Sequence, residues 1–189
     1  MSLTLIIIAT TLVVLALYAT AMYNNLVRLK HAVAKAWANI DVALKQRHDE
    51  LPKLVAVCKQ YMHYEQETLE RVVHARAQVS NAQARGDLRG LGNAESALRD
   101  GLGRLFALAE NYPELKANQG FQQLSRRISQ LEETIADRRE LYNESANLNN
   151  MRLQQIPDLF IARLFAFKPF ELLEFKDARK DVDIAGLFA

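Results

Sequence analysis

Four residues raise the question of chemistry first. His63, Glu67, Glu70 and His74 are spaced by four, three and four, the repeat that lines side chains along one helical face. Imidazole and carboxylate groups together suit a divalent transition metal. A di-metal carboxylate centre in a helical bundle asks for more, a Glu-x-x-His pair from each of two helices. No histidine in this chain has a glutamate three residues before it. The plainer account is a solvated polar face with attractive one-turn pairs, and it is the one favoured here. The alternative is a metal-binding protein or metal-dependent enzyme built on the stripe.

Other chemistry has less support. There is no Gly-x-Ser-x-Gly, and Cys58 falls within an apolar helical repeat, where a small buried hydrophobe is expected. Gly86, Gly90 and Gly92 lack the spacing of a phosphate loop. Arg126-Arg127 and Arg138-Arg139 are interspersed with Glu132, Glu133 and Glu140, which makes no nucleic-acid footprint. No catalytic residue, metal or cofactor is therefore assigned, and nucleic acid is excluded as a partner.

The elements that would position any site begin with an apolar stretch. Met1 to Val27 holds no Lys, Arg, Asp or Glu, and Leu3 to Met22 is mostly Leu, Ile, Val and Ala. A helix of that length is roughly 30 Å long, the thickness of a bilayer's hydrocarbon core. Its threonines can bond back to carbonyls one turn earlier. Ala19-Thr20-Ala21 resembles a signal-peptide cleavage site, but no basic residue precedes Arg28 and the apolar run is long for a signal core. The expectation is a retained single-pass anchor. Arg28, Lys30 and Lys35 follow it with no acid before Asp41, which places the N-terminus outside and the remainder in the cytoplasm.

The chain has 189 residues, a net charge of +2 and one cysteine. It can bury a core, it carries no strong field, and no disulfide framework is available. Leu26, Leu29, Val33, Trp37, Ile40 and Leu44 recur at helical spacing. Pro52 interrupts, and a second helix is expected from there to Arg85. Gly86 to Asn93 reads as a loop, with a third helix from about Asn93. After Pro113 comes the most regular seam, Phe121, Leu124, Ile128, Leu131, Ile135, Arg138 and Tyr142. The prolines mark either corners of a four-helix bundle or kinks in one long hairpin. The expected fold is all-α: an N-terminal transmembrane helix, then an antiparallel up-and-down helical bundle of long, proline-interrupted helices. Its parts are an anchor at 1–22, a bundle at 23–156, and a Phe-rich C-terminal segment and tail at 157–189.

The sequence resembles the LemA family. The resemblance rests on Tyr23-Asn24 with Leu26-Val27, Ala36 to Val42, Leu44-Lys45 with Arg47, Pro52 with Leu54-Val55, Glu67 to Glu70, and Ala75-Arg76. Its most specific run is Leu105 to Asn118, followed by Phe121 and Leu124, then Tyr142-Asn143 and Pro157. It departs at Tyr64, where the family commonly has histidine, and residues 171–189 do not follow the pattern. The resemblance implies an anchored antiparallel helical bundle and no chemistry.

Two surfaces are candidates for recognition. Asn111, Tyr112, Pro113 and Glu114 form a corner that would expose its residues to a partner; the plainer account is that Tyr112 plugs the core and Pro113 starts a helix. In the segment after Pro157, Leu159, Phe160, Leu164 and Phe167 could share one face, with Arg163 at its margin and Lys168 beyond, as in a helix lying at a membrane interface. The competing account is that these aromatics cap the bundle or pack on a neighbouring protomer. The function expected is non-enzymatic: self-assembly into a homo-oligomer, or docking of an unknown membrane-protein partner, at the lipid bilayer.

Overall fold

Pro52 lies inside a helix, not at its end. In the computed structural model, which describes residues 2–175, α1 spans Leu3–Lys59 with Pro52 in its interior. Of the corner and the kink left open at Pro52, the corner is absent: the turn falls at residues 60–65, before α2 (Gln66–Arg85). Proline has no N–H, so the carbonyl of His48, one turn back, loses its helical donor. Arg76 Nε donates to that carbonyl at 3.0 Å. The apolar seam also continues past the proline, with Leu51, Leu54, Val55 and Cys58 buried. A satisfied carbonyl and a continuous buried face keep the helix intact.

The glycine-rich stretch also differs from expectation. Gly86, at φ 65, caps α2 in the left-handed conformation that glycine adopts without penalty. Asp87 then caps α3 (Leu88–Ala109), its carboxylate accepting from Gly90 N at 2.8 Å. The helix thus starts at Leu88, and most of the expected loop is its first turns. After a turn comes α4 (Pro113–Ala117), with proline at its start, and then α5 (Gln119–Gln154), capped by Asn118 Oδ1 accepting from Phe121 N at 3.0 Å. A short α6 (Asp158–Leu164) follows. No strand occurs among the described residues.

The chain divides into two compact units. One joins residues up to 43 with 134–172. In it α1 and α5 run antiparallel: Arg138 Nη1 donates to Asn39 O at 2.6 Å, the rings of Trp37 and Tyr142 meet at 5.7 Å, and Leu26 packs in a cluster with Leu153. Ala162 of α6 completes that cluster. This unit is a two-helix hairpin with α6 laid on it. The other unit holds residues 44–133 and, of those described, 173–175. Here the end of α1, α2, α3 and the start of α5 make a four-helix bundle, with α2 packed along α3. Pro52 is thus internal to α1, whereas Pro113 opens α4 after a turn.

The apolar start of α1 is exposed among the described residues. Residues 2–18 are all exposed, and α1 is the one helix among the described residues long and apolar enough to cross a membrane. Thr10, Thr11 and Thr20 each donate to the carbonyl four residues earlier, at 2.8 to 2.9 Å.

Candidate functional site

The residues weighed as a metal stripe do not share one helical face. His63 lies in the turn before α2, so the one-face stripe with Glu67, Glu70 and His74 is broken at its first member. Glu67 pairs with Arg71 at 2.6 Å, and Glu70 accepts from Gln66 at 2.9 Å. His63, Glu70 and His74 line an open depression of about 610 Å³ with Met62, Leu69 and Val73. Among the described residues no three His, Cys, Asp or Glu side chains converge as metal ligands would. Cys58 is fully buried, and burial pushes its thiol up to about 11, which removes it as a nucleophile near neutral pH.

A buried charged cluster lies within the four-helix unit. Arg47 of α1 and Glu95 of α3 are 1% and 3% exposed, and Arg47 pairs with both Glu95 and Glu132 of α5. Arg99 Nε stands 3.6 Å from the second oxygen of Glu132, and its guanidinium sits over the Phe175 ring at 5.7 Å. Burial opposes the charge on Arg47, but the two carboxylates outweigh it and raise its value. Burial pushes the Glu95 carboxyl up, against the pull of Arg47. Arg47 occupies a seam position, since Leu26, Val33, Ile40, Arg47 and Leu54 recur every seven residues and are all buried. That spacing was the signal available in the sequence. A charged side chain at the position hid it. The cluster ties together the faces of α1, α3 and α5 that meet in this unit.

The corner residues are brought together with the turn at residues 60–65 of the same unit. Asn111, Pro113 and Glu114 are exposed and Tyr112 is half-buried. Tyr112 and Glu65 approach to 3.5 Å, and Asn118 donates to Tyr61 at 3.2 Å. Gln60, Tyr61, His63 and residues 111–114 line a cleft of about 450 Å³. The core plug at this corner is Leu115, which is fully buried.

In the two-helix unit, α6 turns one side inward and one outward. Asp158 and Ala162 are buried, Phe160 and Leu164 are exposed, and Phe165 and Lys168 are exposed beyond the helix. Phe167 is half-buried, not on the outer face; it packs on the Leu26 cluster and meets the Tyr23 ring at 5.9 Å. Its position follows from Ala166, at φ 53, which closes the helix end while Phe167 N donates to Ala162 O at 2.9 Å.

Beyond α6 the chain is held by side chains that periodicity does not reveal. Asn150 Oδ1 accepts from Phe170 N at 2.8 Å, and its amide donates to Phe170 O at 2.7 Å. Tyr142 donates to Glu171 O at 2.9 Å. In the four-helix unit, Leu173 and Phe175 are buried, and the backbone of Glu174 lies against Gly92 of α3.

The sequence pattern of the LemA family matches residues 36–185. The chain belongs to the LemA family. Protein LemA of Metamycoplasma hominis is 28% identical over 167 residues, 87% of this chain and 74% of that protein. Magnetosome protein MamQ 2 of Paramagnetospirillum magneticum is 31% identical over 96 residues, 49% of this chain and 35% of its own length. Magnetosome protein MamQ of Magnetospirillum gryphiswaldense is 33% identical over 100 residues, 49% of this chain and 37% of its own. The chain thus spans little more than a third of the MamQ proteins it matches.

Proposed function

We propose that this LemA-family chain is a single-pass membrane protein that acts by association, not catalysis, with anchored copies assembling through the two-helix unit. The observation that carries this is an outward apolar stripe on α5. Leu141, Leu148 and Met151 are exposed at steps of seven and three, beside the inward seam of Tyr142, Ala146, Asn149 and Leu153. A two-helix hairpin buries little, and a second copy laid along the stripe would give it a further layer. The earlier seam, by contrast, is filled within the chain, since Phe121, Ile128, Leu131 and Ile135 are all buried.

The N-terminus lies outside and the helical units in the cytoplasm, as the Arg28, Lys30 and Lys35 flank favours. The cleft at Asn111 to Glu114 serves a partner protein. Cross-linking in native membranes, read by mass spectrometry, tests the association. Links between identical peptides around Leu141 to Met151 are expected, and Leu141→Ser with Leu148→Ser and Met151→Ser should abolish them. A strict monomer by light scattering of the detergent-solubilised wild type overturns self-assembly. A Cys placed at Ser2 should react with an impermeant probe on intact cells; reaction near Gly86 in its place reverses the orientation.

A further inference from the structure

We propose that α6 is a second membrane contact, an interfacial helix lying on the anionic headgroup layer of the bilayer that α1 crosses. The inference rests on the anchored reading and names what the outer face of α6 meets.

The placement comes from Tyr23. It follows the apolar run directly, in the uncharged stretch before Arg28. Tyrosine collects at the level of lipid headgroups, where its ring is half in hydrocarbon and its hydroxyl is wet. The Phe165 ring contacts Tyr23 at a centroid distance of 4.7 Å, and Ala162 packs against Leu26, within one turn of it. A turn of helix rises about 5 Å, so α6 sits at the level where the span leaves the hydrocarbon.

The exposed face has matching chemistry. Phe160 and Leu164, four residues apart on α6, are 63% and 74% exposed, and Phe165 extends the patch. Apolar side chains so exposed, set beside a membrane span, have the hydrocarbon boundary as their nearest cover. The acid of α6, Asp158, is buried inward and lies 3.5 Å from Arg152. The charges left outward are Arg163 and Lys168, with Arg28 and Lys30 exposed on α1 nearby in sequence. Basic residues flanking an apolar face are drawn to anionic lipid. Glu171 and Glu174, also exposed, come later in the chain.

The test uses the full-length chain in phosphatidylcholine vesicles, with and without phosphatidylglycerol. Trp37→Phe removes the one native indole, and Phe160→Trp, Leu164→Trp or, as a control in the exposed turn after α1, Tyr64→Trp then reports position. Positions 160 and 164 are exposed, so either indole is tolerated and each checks the other. Lipids brominated near the top of the acyl chain should quench emission at 160 and 164 several-fold more than at 64. Aqueous iodide should show the reverse order. Phosphatidylglycerol should deepen the quenching, and Arg163→Glu with Lys168→Glu should remove that increment. Indoles at 160 and 164 that iodide reaches and bromolipid does not overturn the proposal. Indoles shielded from both quenchers also overturn it, because the face then packs on protein. Quenching indifferent to phosphatidylglycerol overturns the role of lipid charge. Release of the chain by alkaline carbonate overturns the anchor and α6 docking together. Retention with unquenched indoles overturns the docking alone.

Discussion

The guanidinium of Arg76 holds His48 at two points. Its Nε donates to the His48 carbonyl at 3.0 Å, and Nη2 lies 2.6 Å from the ring Nε2. The first contact replaces the hydrogen bond that Pro52 cannot make. The second requires Nε2 to accept, hence a neutral ring. Burial, and then the charge of Arg76, hold His48 below the usual histidine value of 6.5. A depressed folded-state value contributes stability that is complete above 6.5 and lost as pH falls through the folded value. Thermal unfolding of the full chain at stepped pH should show a decline below about pH 6.5, the unperturbed histidine range, and His48→Gln should flatten it.

The carbonyl contact gives a second prediction with its own control. Arg76→Ala should cost about 1.5–3 kcal/mol, the range for a hydrogen bond from a charged donor. In a Pro52→Ala background the amide of residue 52 can take the His48 carbonyl. The cost of Arg76→Ala should then fall by about 1 kcal/mol. Equal costs in both backgrounds would show that Arg76 is not substituting for the missing helical bond.

Arg47 leads to a third prediction. Removing one partner of a buried ion pair leaves the other charge uncompensated, at a cost of about 3–5 kcal/mol. Arg47→Ala should therefore be among the most destabilising substitutions in the four-helix unit. Arg47→Met combined with Glu95→Leu should recover most of the loss, because an apolar pair needs no counter-charge. Unfolding followed by circular dichroism checks both. A double variant no better than Arg47→Ala would mean that the cluster sets the packing of α1 on α3 in a way apolar side chains cannot.

How far these features could be read from the sequence follows the same physics. Leu26 to Leu44 and Phe121 to Tyr142 were legible because apolar side chains at steps of three and four define a face without knowledge of the partner helix. The continuation of α1 was not, because Pro52 is a helix breaker by local rules and its rescue comes from Arg76 on another helix. Gly90 and Gly92 likewise read as a loop until Asp87 is seen capping the helix they begin. The His63 stripe failed for a converse reason: helical spacing was counted across a turn that no proline or glycine announces. Residues 166–175 show no periodicity, because hydrogen bonds of Asn150 and Tyr142 hold the backbone at Phe170 and Glu171, and the buried side chains Leu173 and Phe175 make no helical repeat.

Cys58 supplies a probe of local opening. Its thiol, raised to about 11 by burial, should remain unmodified by maleimide in the native protein at pH 8 and react once the chain is denatured. The labelling rate should rise in Arg47→Ala, which loosens the same unit. Rapid labelling of the wild type would contradict the burial of the α1 seam at this point.

Two glycines of α3 differ in the room a side chain would have. A Cβ at Gly92 would stand 1.9 Å from the carbonyl oxygen of Glu174, whereas one at Gly103 has nothing within 4 Å. Both lie within the helix, where alanine is favoured over glycine by about 1 kcal/mol. Gly103→Ala should therefore stabilise the protein by roughly that amount. At Gly92 the gain is opposed by overpacking against backbone, a cost of about 1–3 kcal/mol. Gly92→Ala should relieve the clash by displacing residues 173–175, withdrawing Phe175 from Arg99 and Leu173 from its buried position. Hydrogen exchange at 173–175 should rise in Gly92→Ala and stay unchanged in Gly103→Ala. Equal protection in the two variants would mean that the segment does not rest on α3, and that Gly92 is small for some other reason.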